Sequence, residues 1–217
     1  MALAIFDLDN TLLAGDSDYL WGRFLAEKGI VDGEDYERQN RQFYEDYKAG
    51  QLDIHAFLRF SLKPLTEIDT ASLTSLHQEF MVSQILPIIT TQSRKLIEQH
   101  RNKGDVLLII TATNRFITEP IANELGIEHL LATDPEIVNG CYTGNVAGTP
   151  CFKEGKIERL NEWLARTRED MQDSWFYSDS LNDIPLLEQV DHPVAVDPDE
   201  ALAQHAEMKG WPIISLR

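Results

Sequence analysis

Residues 3–11 read LAIFDLDNT, an apolar run that ends in two aspartates and a threonine. This pattern is typical of a short buried strand whose carboxyl end meets solvent. Asp7 and Asp9 stand two residues apart, so an extended backbone points their side chains the same way. In an open α/β sheet, ligands bind beyond the carboxyl ends of the strands. The pair is therefore a candidate nucleophile and proton-transfer group, with a solvated acidic turn as the alternative interpretation.

Other apolar runs follow along the chain, and helical patterns separate them. The run VLLII at 106–110 is apolar throughout, as in a strand buried on both faces. Shorter candidate strands lie at 175–177, 193–196 and 213–214. Apolar spacing and stop signals predict helices at 87–102, 115–125, 156–166 and 181–189. The alternation predicts an α/β fold with a parallel sheet.

Residues 14–86 interrupt the alternation, because they contain no strand pattern and read as several helices. Their aromatic residues are Tyr19, Trp21, Phe24, Phe43, Tyr44, Tyr47, Phe57 and Phe60. We interpret this segment as a helical cap inserted after the first strand, leaving 1–13 and 87–217 as the α/β core. A hairpin is predicted at 137–146, because Asn139-Gly140 is a turn signal.

Two further candidate groups lie near strand ends or helix starts. Thr111 follows the run at 106–110, where a hydroxyl and free N–H groups suit a phosphate oxygen. A plain helix N-cap is the simpler interpretation of that threonine. Lys156 stands at a helix start, where the helix dipole disfavours a cation, and such a lysine can neutralise charge at a reacting phosphate. A surface role for Lys156, or Lys153 in its place, remains open.

The last motif, SDSLND at 178–183, follows the apolar run at 175–177. Mg²⁺ prefers one or two carboxylates together with water and substrate oxygens, and Asp179 with Asp7 provides such a pair. A polar loop capping the next helix is the alternative. Because all four motifs stand at strand ends or adjoining helix starts, the fold places them on one edge of one sheet.

Composition limits the partners. The chain has 36 acidic and 19 basic residues and a formal charge of −17, so nucleic acid and anionic membranes are not expected as main partners. A phosphate substrate then requires a local positive field from a metal ion and a lysine. Cys141 and Cys151 form no Cys-x-x-Cys pair, and the N-terminus resembles no signal peptide. We expect reduced thiols and a cytoplasmic protein.

The order of these motifs resembles the haloacid-dehalogenase superfamily of phosphatases, subfamily IB, in its phosphoserine-phosphatase-like branch. The Asp-x-Asp-x-Thr start at 7–11 and the Asp-x-x-Asn-Asp ending at 179–183 carry the resemblance. It implies a Rossmann-like parallel-sheet core sandwiched by helices, with an inserted helical cap of the C1 type. It also implies hydrolysis of a small phosphorylated metabolite with Mg²⁺ as cofactor.

The resemblance assigns roles to the motif residues. Asp7 is the implied nucleophile that forms an aspartyl-phosphate, and Asp9 the implied acid and base, a residue that the related dehalogenases lack. The implied Mg²⁺ ligands are Asp7, Asp179 and the backbone carbonyl of Asp9, with Asp183 supporting them through water. The implied contacts to the phosphoryl group are Thr111, Lys156 and Asn182.

Two departures from phosphoserine phosphatases affect the substrate. Their Ser-Gly-Gly stretch is Thr-Ala-Thr here at 111–113, and their glutamate nine residues after the nucleophile is Asp16. Asp16 and Asp18 beside Tyr19 and Trp21 suit an ammonium or imidazolium group, so histidinol phosphate fits better than phosphoserine. Alternatively, Asp16 caps a helix while Tyr19 and Trp21 fill the cap core. Further candidate substrate contacts are Asn114 and Arg59, with Arg41 as an alternative to Arg59.

Three alternative functions remain. A phosphotransferase or mutase of the same superfamily would carry the same site and pass phosphate to another acceptor. A receiver domain also accepts phosphate on aspartate, but such domains are shorter and have no helical insert. A non-catalytic binding module is disfavoured by the intact set of Asp7, Asp9, Lys156 and Asp179. No sequence feature indicates an oligomeric state.

Overall fold

The computed structural model describes residues 2–217, which form a six-stranded parallel sheet, a separate two-stranded hairpin and surrounding helices. In chain order the strands are β1 (Leu3–Phe6), β2 (Val106–Asn114), β3 (His129–Thr133), β4 (Pro135–Val138), β5 (Cys141–Val146), β6 (Trp175–Ser178), β7 (His192–Val196) and β8 (Ile213–Ile214). The spatial order of the sheet is β3-β2-β1-β6-β7-β8. This architecture confirms the predicted α/β fold.

Helices cover the sheet and build the insert. The insert contains α1 (Ser17–Glu27), α2 (Gly33–Lys48), α3 (Ile54–Ser61), α4 (Lys63–Glu67) and α5 (Thr70–Phe80). The core contains α6 (Thr91–Lys103), α7 (Arg115–Glu124), α8 (Glu154–Arg166), α9 (Ile184–Leu187) and α10 (Glu200–Lys209). The helix predicted from 87 begins later, because the Thr90 hydroxyl accepts the N–H of Ser93 and caps α6 at its start.

The strand β1 lies in the middle of the sheet, between β2 and β6. Its side chains alternate between two apolar clusters, with Ala4 and Phe6 in one and Leu3 and Ile5 in the other. Because both faces of β1 are covered, the strand reads as a continuous apolar run. Its carboxyl end therefore delivers Asp7 to the centre of the sheet edge.

The secondary structure differs from the sequence pattern in two ways. The strand predicted at 106–110 continues to Asn114, because pairing with β3 resumes at Asn114 and Thr133 after an irregularity. Thr111 thus lies inside β2 and not after it. Neither β3 nor α10 is among the elements that the patterns predict.

The insert joins the core through two adjacent connections. The N–H of Ala14 donates to the carbonyl of Ile88 (2.8 Å), and Leu13 pairs with Ile89 in an antiparallel bridge. Trp21 of α1 is buried against Phe80 of α5, with ring centroids 5.1 Å apart. The division at 13/14 and 86/87 remains our interpretation of where cap and core separate.

The predicted hairpin is present as β4 and β5, which pair antiparallel. Its turn residues Asn139 and Gly140 have φ angles of 53° and 81°. Two successive positive φ angles are those of a type I′ turn, which explains the Asn-Gly pair. Within residues 2–217, no helix is both long and apolar enough to cross a membrane.

Candidate active site

The carboxyl ends of β1, β2 and β6 bring the sequence motifs together at one edge of the sheet. Asp7 follows β1 directly, and its N–H donates to the carbonyl of Tyr177 in β6 (2.9 Å). Its side chain is largely buried, with the residue 3% exposed. The backbone of the neighbouring strand thus fixes where the carboxylate of Asp7 stands.

Lys156 ties the nucleophile candidate to the last motif. Its Nζ donates to Asp7 Oδ1 and to Asp183 Oδ2, each at 2.8 Å, and the residue is 2% exposed. Lys153, the alternative, instead donates from Nζ to the carbonyl of Gly50 in the insert (2.8 Å). The structure therefore brings Lys156, and not Lys153, to the carboxylates.

Thr11 joins two carboxylates that the sequence sets far apart. Its hydroxyl lies 3.2 Å from Asp7 Oδ2 and 3.0 Å from Asp179 Oδ1, and it accepts the N–H of Asp179 (3.0 Å). No role for Thr11 is predicted from the sequence, although this residue closes the Asp-x-Asp-x-Thr motif. Its signal is the four-residue spacing from Asp7 across a tight turn, which folds the hydroxyl back onto the carboxylate.

Asp9 is held jointly by the insert and by β2. Its Oδ1 accepts the N–H of Ser17 at the start of α1 (2.6 Å), and its Oδ2 accepts the hydroxyl of Thr113 (2.8 Å). Burial raises the pKa of Asp9, and the hydrogen bonds from Ser17 and Thr113 oppose the shift. A carboxyl with a raised pKa is suited to donating and then accepting a proton near neutral pH.

The site has more buried carboxylates than cations. Burial raises the pKa of Asp7 to about 7 in spite of the opposing Lys156, and burial followed by the charge of Asp7 raises the pKa of Asp179 well above its usual value. Burial alone would lower the pKa of Lys156, but Asp183 and Asp7 outweigh it and raise that pKa. One lysine facing several carboxylates leaves an excess of negative charge that a divalent cation would compensate.

The oxygen-rich donor set fits Mg²⁺. In the described part of the chain, no three acidic, histidine or cysteine side chains converge as a complete cage. Mg²⁺ needs no such cage, since it binds through one or two carboxylates and keeps several waters or substrate oxygens. Asp7 and Asp179, linked through Thr11, supply such a pair. Asp183 is engaged by Lys156 and by the hydroxyl of Ser178 (2.7 Å), which suits a supporting position.

A cavity opens beside these carboxylates, between the sheet edge and the insert. Its floor carries Asp7, Asp9, Thr111, Ala112 and Thr113. The insert supplies the remaining wall: Asp16, Asp18, Tyr19, Asn40, Phe43, Tyr44, Tyr47, Leu52, Ile54 and Phe57.

The other predicted contacts are distributed unevenly around this cavity. Thr111 lines it, whereas the Asn182 amide donates to the carbonyl of Tyr47 (3.0 Å) and ties the insert to the core. Asn114 lies outside the cavity wall, where its Oδ1 caps α7 by accepting the N–H of Ile117 (3.3 Å). Arg59 lines a separate groove on the outer side of the insert, so the structure does not bring it to the carboxylates.

Asp16 and Asp18 both reach the cavity but differ in their hydrogen bonds. Asp16 caps α1, its Oδ1 accepting the N–H of Tyr19 (2.8 Å). Asp18 is 7% exposed, and within residues 2–217 its buried Oδ2 has no hydrogen-bond partner. Burial, and secondly the charge of Asp9, raises the pKa of Asp18 to about 7. Trp21 packs in the interior of the insert, and Tyr19 lines the cavity.

The raised pKa of Asp18 predicts a pH-dependent stability of the metal-free protein. A carboxyl whose pKa rises from 3.8 to about 7 on folding stabilises the fold below pH 3.8 and loses that contribution as pH rises through 7. Asp18→Asn removes this titration. Between pH 5 and pH 8, we therefore expect the free energy of unfolding of the wild type to fall by about 2–3 kcal/mol more than that of Asp18→Asn.

Thermal melts in EDTA at pH 5 and pH 8 measure this effect, at about 2–4 °C per kcal/mol for a chain of this size. Asp35→Asn is the matched control, because this substitution removes the same charge from an exposed position on α2. A difference between Asp18→Asn and wild type that is equal at both pH values would contradict the prediction.

Comparison with known proteins gives consistent results. Residues 4–188 match the family model of haloacid dehalogenase-like hydrolases. The chain is 48% identical over 219 residues to the histidinol-phosphatase of Neisseria meningitidis serogroup C (strain 8013), with 99% of each chain covered. A solved structure of a protein with unknown function from Bordetella pertussis Tohama I superposes with a TM-score of 0.94 at 44% identity, covering 100% of this chain and 99% of that one.

A more distant structure shows the shared fold. The phospho-aspartyl intermediate analogue of a phosphoserine phosphatase superposes with a TM-score of 0.73 at 18% identity, covering 100% of this chain and 93% of that one. The resemblance that the motifs suggest is thereby confirmed. With residues 4–188 matched and a named phosphatase similar along its whole length, the chain belongs to the haloacid dehalogenase-like hydrolases and is a phosphatase.

Proposed function

We propose that the protein is an Mg²⁺-dependent phosphomonoester hydrolase that acts through an aspartyl-phosphate on Asp7. The observation that carries this proposal is the buried Asp7 carboxylate at the cavity floor, bonded to Lys156 and linked through Thr11 to Asp179. This arrangement provides a fixed nucleophile beside a cation, which is what transfer of a phosphoryl group requires.

In the first step, a carboxylate oxygen of Asp7 attacks phosphorus and forms the acyl phosphate. The bond between phosphorus and the ester oxygen breaks, and that oxygen keeps the electron pair and takes a proton from Asp9. The raised pKa of Asp9 supports the protonated form that this step needs. Lys156 stays charged throughout, because its carboxylate partners raise its pKa.

In the second step, Asp9 accepts a proton from a water molecule, whose oxygen attacks the same phosphorus. The bond from phosphorus to Asp7 breaks, so that inorganic phosphate leaves and the Asp7 carboxylate is restored. The insert covers the cavity in this geometry, since Ser17 holds Asp9 and Tyr47 accepts from Asn182. Such cover keeps bulk water from the acyl phosphate.

Asp7, Asp179 and the backbone carbonyl of Asp9 are the groups that would hold Mg²⁺, with Asp183 supporting them. When bound, the ion supplies positive charge that offsets the repulsion between the phosphoryl oxygens and the carboxylates. Thr111, which lines the cavity floor, would donate its hydroxyl hydrogen to a phosphoryl oxygen.

The proposed substrate is a small phosphorylated metabolite that bears an amine, with histidinol phosphate favoured over phosphoserine. The name of the Neisseria relative supports the first compound. The aspartates of the insert support a cationic substrate in either case. A cytoplasmic location stays a prediction, as does the absence of nucleic-acid and membrane partners.

Phosphate release from histidinol phosphate and phosphoserine tests this proposal. We expect release that requires Mg²⁺, stops in EDTA and returns when Mg²⁺ is added in excess. Arg59→Gln serves as a control outside the cavity and should behave as wild type. Release that continues unchanged in EDTA would refute the metal requirement, and equal, feeble rates on both compounds would refute the substrate assignment.

A further inference from the structure

We propose that the cavity selects phosphate esters of amino alcohols and rejects those of amino acids, and that Asp18 is the residue that binds the substrate cation. This inference deepens the proposed function and rests on it. It concerns the part of the cavity wall that the insert forms.

The charges around the cavity all have one sign. Among the described residues that line it, four are aspartates and none is lysine, arginine or histidine. Lys156 stands behind Asp7, with its Nζ bonded to Asp7 and Asp183. A negatively charged group on the organic part of a substrate would therefore have no cationic partner in the wall. Burying an unpaired charge is strongly unfavourable, so a carboxylate on the substrate is disfavoured.

Among the aspartates of the cavity, Asp18 differs in having a buried oxygen without a hydrogen-bond partner in the described part of the chain. Asp16 is occupied as the cap of α1, and Asp9 accepts from Ser17 and Thr113. Asp18 Oδ2 is buried without a hydrogen-bond partner anywhere in residues 2–217, although the residue is only 7% exposed. A buried polar atom without a hydrogen-bond partner destabilises the free protein, and a bound ligand can supply that partner.

The rest of the wall suits a cationic group that is attached to an aromatic or apolar skeleton. The rings of Tyr19 and Tyr44 lie 5.1 Å apart, and those of Phe43 and Phe57 lie 5.5 Å apart. Aromatic faces attract cations, and a carboxylate among them adds a direct ion pair. The substrate class that fits is a phosphate ester whose organic part carries an ammonium or imidazolium group and no carboxylate.

Comparing L-histidinol with L-histidine measures the effect of a ligand carboxylate on binding. The two ligands differ only in that L-histidinol has a hydroxymethyl group where L-histidine has the carboxylate. Calorimetric titration of the wild-type protein is expected to show L-histidinol binding at least about 30-fold more tightly than L-histidine. Asp18→Asn should weaken L-histidinol binding by about 30-fold or more, because a neutral amide leaves the buried ammonium unpaired. Asp35→Asn, on the exposed face of α2, should bind as wild type.

Steady-state kinetics give an independent readout. Asp18→Asn is expected to lower kcat/KM for histidinol phosphate by about 100-fold while changing that for p-nitrophenyl phosphate, which has no cation, by less than about threefold. An equal loss on both substrates would mean that Asp18 only maintains the fold, and would overturn the proposal. L-histidine binding as tightly as L-histidinol, or unchanged L-histidinol binding by Asp18→Asn, would overturn it as well.

The two readouts separate this inference from the proposed function. Binding of L-histidinol requires neither the nucleophile nor Mg²⁺, so selective, Asp18-dependent binding without any phosphate release would support the inference and refute the hydrolase. Phosphate release together with unselective binding would support the hydrolase and refute the inference.

Discussion

Asp7→Asn is expected to reduce phosphate release by about 10³-fold or more while leaving the protein folded. The carboxamide has nearly the shape of the carboxylate but cannot form the acyl phosphate, so the pathway through a covalent intermediate closes. Asp7 Oδ1 accepts from Lys156, and Oδ2 lies beside the Thr11 hydroxyl. In the variant the amide oxygen can accept from Lys156 while the amide NH2 donates to the Thr11 hydroxyl oxygen. The effect on activity is therefore chemical and not a consequence of unfolding.

Single-turnover release of phosphate at saturating Mg²⁺ measures the Asp7→Asn effect, and circular dichroism checks the fold. Wild-type protein trapped in acid during turnover should carry phosphate on Asp7 by mass spectrometry, and the variant should carry none. Release at the wild-type rate by Asp7→Asn would assign the nucleophile to another residue.

Lys156→Met is expected to lower the free energy of unfolding by about 3–5 kcal/mol at pH 8 and to abolish activity. Methionine is close in length to the lysine stem, but it leaves Asp7 and Asp183 buried without their cation. Removing one partner of a buried ion pair is strongly destabilising, because the remaining charge has neither water nor a partner. The loss should shrink at pH 5, because burial raises the pKa of Asp7 and its carboxyl takes up a proton there.

Urea denaturation of metal-free protein at the two pH values measures the Lys156→Met effect. Lys153→Met is the matched control, since Lys153 contributes only a bond to the Gly50 carbonyl and a cation–π contact with the Phe152 ring. Its loss should cost about 1–2 kcal/mol. A Lys156→Met protein as stable as wild type at pH 8 would show that Asp7 and Asp183 do not depend on this lysine for charge compensation.

The elements that carry the nucleophile and metal candidates are predictable from local sequence. The strand β1 is recognisable because both of its faces are buried, and its position next to the acids at 7 and 9 places the site without further information. The strand β3 is not recognisable, because its short segment at 129–133 is only partly apolar and its first two residues are only half-buried. In α10 only Leu202 and the small Ala206 are buried, so its apolar stripe is weak.

The choice between neighbouring candidates needs the tertiary structure. Lys153 and Lys156 are equivalent by sequence, and only the positive φ of Lys153 (49°) and the start of α8 separate their directions. Asp16 and Asp18 are likewise equivalent until α1 uses one of them as its cap. Arg59 is a plausible anchor by composition, but the packing of α3 in the insert turns it towards an outer groove.

The contacts that join insert to core have an evolutionary consequence. Asn182 and Lys153 both donate to main-chain carbonyls, those of Tyr47 and Gly50, so the insert contributes no side chain to either bond. A substitution at position 47 leaves its carbonyl in place, so the bond from Asn182 does not restrict which side chain lines the cavity there. Gly50 lacks that freedom, since its φ is +69° and an added Cβ would lie 2.8 Å from Leu181. Descendants of this enzyme can thus change what they recognise without rebuilding how the two parts meet.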